Sequence, residues 1–165
     1  MEFLLCVSFF SRSPRRWLLP RLSWPRAAPE TAPPTWGARV DIHTGLGWAD
    51  SGKANATLGA TGGYDIATGG GTFAGLEESV DKVLTSQDKV RFGTTARFGT
   101  HLTPQDKLYA LAGYSYGTGP NGVHVGAGVE HSFGPVFGKL EYRHTFNEDA
   151  VKDSNATLVG VGMHF

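Results

Sequence analysis

Six histidines are the residues of this sequence best suited to acid–base or metal chemistry, and their spacing supports neither. A Ser–His dyad on one β-strand needs two side chains on the same face, whereas His131 and Ser132 are adjacent and point to opposite faces. His43, His124 and His164 are expected to face the interior of the fold, but none has the spacing of a triad or metal site. We interpret these three as hydrogen-bonded interior histidines.

The remaining chemical candidates lie in predicted loops and the leader. Glu148, Asp149 and Asp153 could bind a cation weakly, but a solvated charged loop explains them better. The segment 117–122, "GTGPNG", is predicted to be a turn, because no helix follows it to bind a phosphate. Cys6 is the only cysteine, so neither an internal disulfide nor a Cys-based metal site can form. The sequence predicts a protein that is not an enzyme and that uses no cofactor or metal.

Composition changes abruptly at Trp36. All 23 glycines follow this residue, whereas six of the nine prolines precede it. Residues 1–36 are interpreted as an atypical, signal-like leader ending in a Pro-rich disordered segment, or alternatively as the result of a misplaced start. Residues 37–165 are predicted to form the folded body. The formal net charge of zero gives no argument for nucleic-acid binding, and no nucleic-acid partner is expected.

Apolar and polar residues alternate in eight segments of the body, which predicts eight β-strands. The segments are 37–48, 56–66, 72–80, 90–102, 107–116, 122–133, 136–146 and 156–165. Pro104, Pro120 and Pro135 all lie between segments, as expected because proline cannot donate a hydrogen bond within a sheet. No apolar run approaches the ~20 residues that a membrane helix needs, but a membrane barrel needs only alternating strands.

The predicted connections alternate in length along the chain. Those at 49–55, 81–89, 117–121 and 147–155 are longer and mostly polar or charged, whereas the three between them are short. Long loops at one end and short turns at the other are typical of an outer-membrane barrel, whose short turns face the periplasm.

The two faces of the predicted strands differ in chemistry. One face is apolar, and we expect it to carry no charge. The other face carries ten charged residues, five of each sign, together with ten glycines. The charged residues are Arg39, Asp41, Asp65, Glu77, Arg91, Arg97, Glu130, Lys139, Glu141 and Arg143. A face so poor in side chains suits the narrow interior of an eight-stranded barrel, where balanced charges can pair. The predicted fold is therefore all-β, an eight-stranded antiparallel up-and-down transmembrane β-barrel.

Aromatic residues near the strand ends are predicted to form girdles at the two membrane interfaces. Trp48, Tyr64, Tyr116 and Phe146 belong to this set, with Phe165 at the carboxy terminus. The fifth strand, "KLYALAGYSY", is ambiguous in register. We expect its outward residues to be Leu108, Ala110, Ala112, Tyr114 and Tyr116.

Three motifs carry a family resemblance, namely "TFAGLEES" at 72–79, "GKLEYRHTF" at 138–146 and "LVGVGMHF" at 158–165. With them the body resembles the small Gram-negative outer-membrane β-barrel proteins of the opacity-protein and OmpA/OmpX-like group, within the porin family. The resemblance implies a place in the outer membrane and contact with its lipid and lipopolysaccharide. It also implies recognition by the barrel-assembly machinery through a terminal signal formed by Val161, Met163 and Phe165.

The expected function is that of a non-enzymatic surface or envelope barrel with a filled polar interior, whose loops contact a host or surface ligand. Two alternatives remain open. A soluble lipocalin-like barrel would have an apolar interior and a charged exterior. A lipid A-modifying barrel enzyme would need a catalytic triad.

Overall fold

The computed structural model describes residues 36–49, 52, 54–84, 89–148 and 151–165. The predicted leader, except for Trp36, lies outside the described residues. Eight strands form the described chain. They are β1 (Gly37–Ala49), β2 (Ala54–Gly69), β3 (Thr72–Leu84), β4 (Lys89–His101), β5 (Asp106–Gly117), β6 (Gly122–Phe133), β7 (Val136–Asn147) and β8 (Ser154–His164). No helix among these residues is long and apolar enough to cross a membrane.

The strands form one closed antiparallel barrel in which each strand pairs with its neighbours in sequence. Closure comes from pairing of β1 with β8, where Arg39 lies opposite His164 and Ala49 opposite Ser154. Every backbone polar group in the wall can therefore bond within the sheet, and no edge strand is left open. The prediction of an eight-stranded up-and-down barrel is confirmed.

Short turns close one end of the barrel, which we call the turn end. Gly69, Gly70 and Gly71 connect β2 to β3 with φ angles of 96°, 61° and 79°. Side chains with a Cβ rarely adopt this left-handed region, so the run of three glycines allows the tight connection. Gly134 plays the same part between β6 and β7, with φ at 69°.

The opposite end, which we call the loop end, has shorter connections than the sequence predicted. They comprise residues 50–53, 85–88, 118–121 and 148–153. The predicted loops 49–55, 81–89 and 147–155 are too long, because the strands continue past their apolar stretches. Asp81 still pairs with Arg91 in the sheet. Polar outward residues hid this continuation from the alternation pattern.

The outer face of the barrel is apolar, as predicted. Ile42 is 63% exposed and Phe98 is 58% exposed. The register expected for β5 is confirmed, since Leu108 is 43% exposed whereas its neighbour Tyr109 is 2% exposed. Leu111 is buried on the same inner side.

The expectation that the outer face carries no charge is wrong. Glu78 and Lys82 of β3 point outward. Glu77 and Glu78 are consecutive, so a strand that buries the first must expose the second. Glu78 lies near the middle of the wall, where its carboxylate accepts a hydrogen bond from Thr94 Oγ1 at 3.0 Å.

Candidate functional site: the barrel interior

The structure places all ten of the charged residues proposed for the polar face inside the barrel. Nine of them are at most 7% exposed, and Arg91 is half-buried. Two further inward charges were missed from the sequence. Lys107 was placed at the start of a strand with an ambiguous register, and Asp81 was assigned to a loop. The interior therefore holds six cationic and six anionic side chains in addition to its histidines.

Glycine lets these long side chains fit. A Cβ atom added to Gly126 would lie 2.1 Å from the carbonyl oxygen of Tyr142, and one added to Gly128 would lie 2.5 Å from Tyr109 Oη. Neither position has room for a side chain. Inward glycines thus leave their space to the charged side chains, which fill the lumen of a narrow barrel.

Glu130 is the most highly connected carboxylate of the interior. Its Oε2 accepts a hydrogen bond from Arg39 Nη1 at 2.8 Å and lies 3.4 Å from Arg97 Nη2. Its Oε1 lies 3.1 Å from Lys107 Nζ and 3.1 Å from His164 Nε2. Four strands are therefore joined to β6 through one buried side chain.

Arg97 has the most complete set of partners. Its Nε and Nη2 donate to the two carboxylate oxygens of Asp65 at 2.9 and 2.6 Å. The guanidinium also lies 5.0 Å from the ring centre of Phe73 and 4.6 Å from that of Tyr109. A planar guanidinium that is paired at two atoms and stacked on aromatic rings is held rigidly.

Arg143 links two other carboxylates. Its Nε donates to Glu141, and its Nη2 lies 3.5 Å from Glu77 Oε1. Tyr109 Oη donates to Glu141 at 2.9 Å, and Glu77 also accepts a hydrogen bond from Arg39. The charges consequently form a continuous network rather than isolated pairs, which offsets the cost of burying them.

A second chain of contacts climbs towards the loop end. Lys139 Nζ lies 2.7 Å from Asp41 Oδ1. The same oxygen lies 3.2 Å from His43 Nδ1, and His43 Nε2 lies 2.6 Å from Asp81 Oδ1. Ser79 Oγ donates to Asp81 Oδ2 at 3.1 Å. Both oxygens of Asp81 are thereby bound.

One Ser–His contact exists that the sequence did not indicate. His124 Nδ1 lies 2.9 Å from Ser115 Oγ, and its Nε2 lies 2.9 Å from Thr95 Oγ1. Ser115 lies on β5 and His124 on β6, so only the cross-strand register brings them together. Neither ring nitrogen bonds a carboxylate among the described residues, so no acid orients this histidine as a general base. His131 is exposed and Ser132 is buried, on opposite faces as expected.

The acidic residues near the loop end have protein partners. Glu148 accepts hydrogen bonds from Tyr114 Oη at 3.1 and 3.2 Å, and Asp153 accepts one from the backbone N–H of Asn147 at 3.1 Å. Asp149 lies outside the described residues. No group of three or more potential metal ligands occurs in the part of the chain that the structure describes.

Aromatic side chains proposed for the girdles lie at both ends of the outer face. Trp48, Tyr116 and Phe146 are near the loop end, close to the ends of β1, β5 and β7. Tyr64 and Phe165 lie nearer the turn end, with exposed fractions of 58% and 68%. The outer face thus has aromatic residues near both ends, and their role as girdles at the two membrane interfaces stays a prediction.

Val161 and Met163 also face outward at the end of the chain, being 50% and 44% exposed. With Phe165 they form a row of alternate residues on the outer face of β8 and the carboxy terminus. The backbone N–H of Phe165 donates to the carbonyl of Ala38 at 2.9 Å, so the terminal residue is tied to β1.

Solved structures share this fold. Over 78% of its length, the chain matches 96% of Neisserial surface protein A, with a TM-score of 0.57 at 18% identity. It matches 96% of Ail, the attachment invasion locus protein of Yersinia pestis, with a TM-score of 0.59 at 14% identity. A de novo designed protein, TMB2.3, matches with a TM-score of 0.51 at 21% identity, over 79% of this chain and 94% of its own. No protein-family model matches the sequence, and neither does any curated protein. The chain has the fold of small outer-membrane β-barrels.

Proposed function

We propose that this chain is a non-enzymatic outer-membrane β-barrel of a Gram-negative bacterium. One observation carries the proposal. The outer face is a belt of exposed apolar side chains, whereas the inner face is a network of paired charges. Exposing large apolar residues such as Ile42 and Phe98 to water would be unfavourable, so lipid is the better solvent for this surface. Outer-membrane lipid and lipopolysaccharide would then be its immediate partners.

The filled interior supports a structural or surface role. Gly126 and Gly128 have no space beside them, and the carboxylates and guanidiniums bond one another across the lumen. An open diffusion channel needs a wider barrel. The barrel would therefore act through its outer end as an envelope-stabilising or adhesion-type protein, with the connections of the loop end meeting a host or surface ligand.

The names of two proteins of the same fold agree with this role. One is a surface protein of Neisseria, and the other is the attachment invasion locus protein of Yersinia pestis. The connections of this chain comprise only four to six residues at the loop end. A ligand contact would consequently involve the rims of the strands as much as the loops.

The two alternative functions have less support. A lipocalin-like barrel needs an apolar interior for its ligand, but the interior here is charged and its exterior apolar. A lipid A-modifying enzyme needs an activated nucleophile, but His124 bonds two hydroxyl groups and no carboxylate among the described residues.

Assembly of this barrel would follow the route of other outer-membrane proteins. We propose that Val161, Met163 and Phe165 form the terminal signal that the barrel-assembly machinery binds. Their exposure on the outer face supports this proposal, since a partner strand can contact them before the barrel closes.

Refolding tests the membrane proposal. The full chain, refolded into detergent, should migrate faster on a denaturing gel when unboiled than when boiled, and should show β-rich circular dichroism. In planar bilayers it should give no lasting conductance steps. A protein that is soluble and monomeric without detergent would overturn the membrane location, and stable ion conduction would overturn the filled interior.

A further inference from the structure

A cavity opens into the loop end of the barrel above the charge network. It has a volume of about 330 Å³, and we call it the vestibule. Among the described residues, its charged lining consists of Lys89, Arg91, Lys152, the carboxylate of Asp81, and Arg143, which also pairs with Glu141 and Glu77. The interior as a whole holds six cations and six anions, and Lys89 and Lys152 at the vestibule add two positive charges among the described residues. An excess of positive charge in a partly enclosed cavity concentrates anions.

Arg91 is the central feature of this imbalance. Asp81 is its cross-strand partner, but the two oxygens of Asp81 are bound to His43 and Ser79. Arg91 Nη2 is shielded from solvent and has no hydrogen-bond partner among the described residues. A buried guanidinium donor without an acceptor is costly, and an anion would remove that cost.

Other polar side chains line the same cavity. Arg143 Nη2 lies 3.5 Å from Glu77 Oε1, yet it makes no hydrogen bond among the described residues. Thr57 Oγ1 likewise has no partner in that part of the chain, and Ser115 lines the wall. The vestibule is thus lined by the Arg91 guanidinium, whose Nη2 has no acceptor among the described residues, and by hydroxyl groups on several strands, which suits an anion with oxygens in several directions.

We propose that the vestibule binds a phosphate or sulfate group, with Arg91 as its principal ligand and Arg143 and Lys89 as supporting cations. The guanidinium fork matches the oxygen spacing of such groups and binds them at two points. Lys89 adds an exposed positive charge at the rim. The cavity is within the size range of small-molecule sites and is already formed by rigid strands. This binding activity is separate from the membrane role of the outer face.

The phosphate group could belong to a soluble molecule or to a lipid headgroup reaching over the rim. Two probes distinguish these sources. Inorganic phosphate tests the soluble source. Nanodiscs containing phosphatidic acid, compared with discs of phosphatidylcholine alone, test the lipid source.

The experiment uses the full chain, refolded in zwitterionic detergent and labelled with ¹⁵N. Sodium phosphate is titrated at constant ionic strength against chloride, and the amide shifts of Ser115 and Thr118 are followed. The variant Arg91→Gln is compared with Lys82→Gln, which removes a cation from the outer face at the same end. The heat-dependent gel shift verifies that both variants fold.

Phosphate should give saturable shifts that chloride does not give. Arg91→Gln should weaken binding about tenfold or more, because a hydrogen-bonded charge contact is lost, and Lys82→Gln should change it less than twofold. Shifts of the same amides only in phosphatidic acid discs, abolished by Arg91→Gln, would assign the group to a lipid. Equal responses to phosphate and chloride, or unaltered binding by Arg91→Gln, would overturn the site even if the gel shift shows an intact barrel.

Discussion

Replacing Arg97 with methionine should lower the free energy of unfolding of the barrel by about 4 kcal/mol. The guanidinium is 2% exposed and holds Asp65 through two hydrogen bonds. Without it, the cation left to Asp65 among the described residues is Lys107, whose Nζ lies 3.5 Å away. Leaving one member of a buried ion pair unpaired costs about 3–5 kcal/mol. Loss of the stacking on Phe73 and Tyr109 contributes about 0.5–2 kcal/mol.

A double-mutant cycle separates the pair from its surroundings. Asp65→Leu combined with Arg97→Met removes both charges and replaces them with apolar groups of similar size. The double variant should be more stable than Arg97→Met alone by about 2 kcal/mol, since no buried charge is left unpaired. Arg91→Met is the matched control. It removes an interior arginine whose Nη2 has no hydrogen-bond partner among the described residues, and it should cost less than about 1 kcal/mol.

Equilibrium unfolding in urea measures these effects. The full chain is refolded in detergent, and the folded fraction is read from the heat-dependent gel shift and from tryptophan fluorescence. If Arg97→Met and Arg91→Met cost the same small amount, the interior charges are solvated by water. That result would refute both the reasoning from burial and the filled lumen.

Three further predictions concern the wall, the packing and the carboxy terminus. Glu78→Leu should stabilise the liposome-reconstituted barrel by about 1 kcal/mol in urea titration, because a carboxylate leaves the lipid-facing surface; a loss of stability would contradict lipid exposure at that position. Gly126→Ala should cost about 1–3 kcal/mol, because the new Cβ would lie 2.1 Å from the carbonyl oxygen of Tyr142, whereas Gly62→Ala meets nothing within 4 Å and should be neutral. Equal urea midpoints for these two variants would argue against a packed interior. Deleting Phe165 should reduce the heat-modifiable protein in outer-membrane extracts while leaving refolding in detergent intact, and equal amounts in the extracts would speak against a terminal signal.

The pattern of alternation predicted much of the architecture. Apolar residues at every second position indicated eight strands, and prolines between them marked the connections. Charges and glycines on one face indicated which face lines the narrow interior of the barrel. Strand ends were less predictable, because β3 continues to Leu84 by pairing with β2 and β4 beyond the charged residues Asp81 and Lys82. Glu78 was missed for a different reason. The alternation pattern was taken to give the outer face apolar residues and no charge, and this outward carboxylate does not follow that pattern.

Contacts between distant strands lay outside the reach of the sequence. Ser115 and His124 meet because β5 and β6 pair in one register, and Arg97 reaches Asp65 across the barrel although the two residues are 32 positions apart. Side-chain alternation predicts which face of the sheet a residue lies on. It does not predict the position of that residue along the barrel axis or its neighbours on other strands. Nor could the sequence indicate that Arg91 Nη2 has no acceptor among the described residues, because this depends on Asp81 turning towards His43.

The sequence by itself determined the inside and outside of this protein, because the period of a β-strand assigns each side chain to one of two faces. It also determined that the charges within could balance. Only the tertiary structure decided which charges pair, because pairing depends on the stagger of eight strands around a closed ring. That stagger binds the lower charges to one another, and beside the cavity at the loop end it leaves Arg91 Nη2 without an acceptor among the described residues.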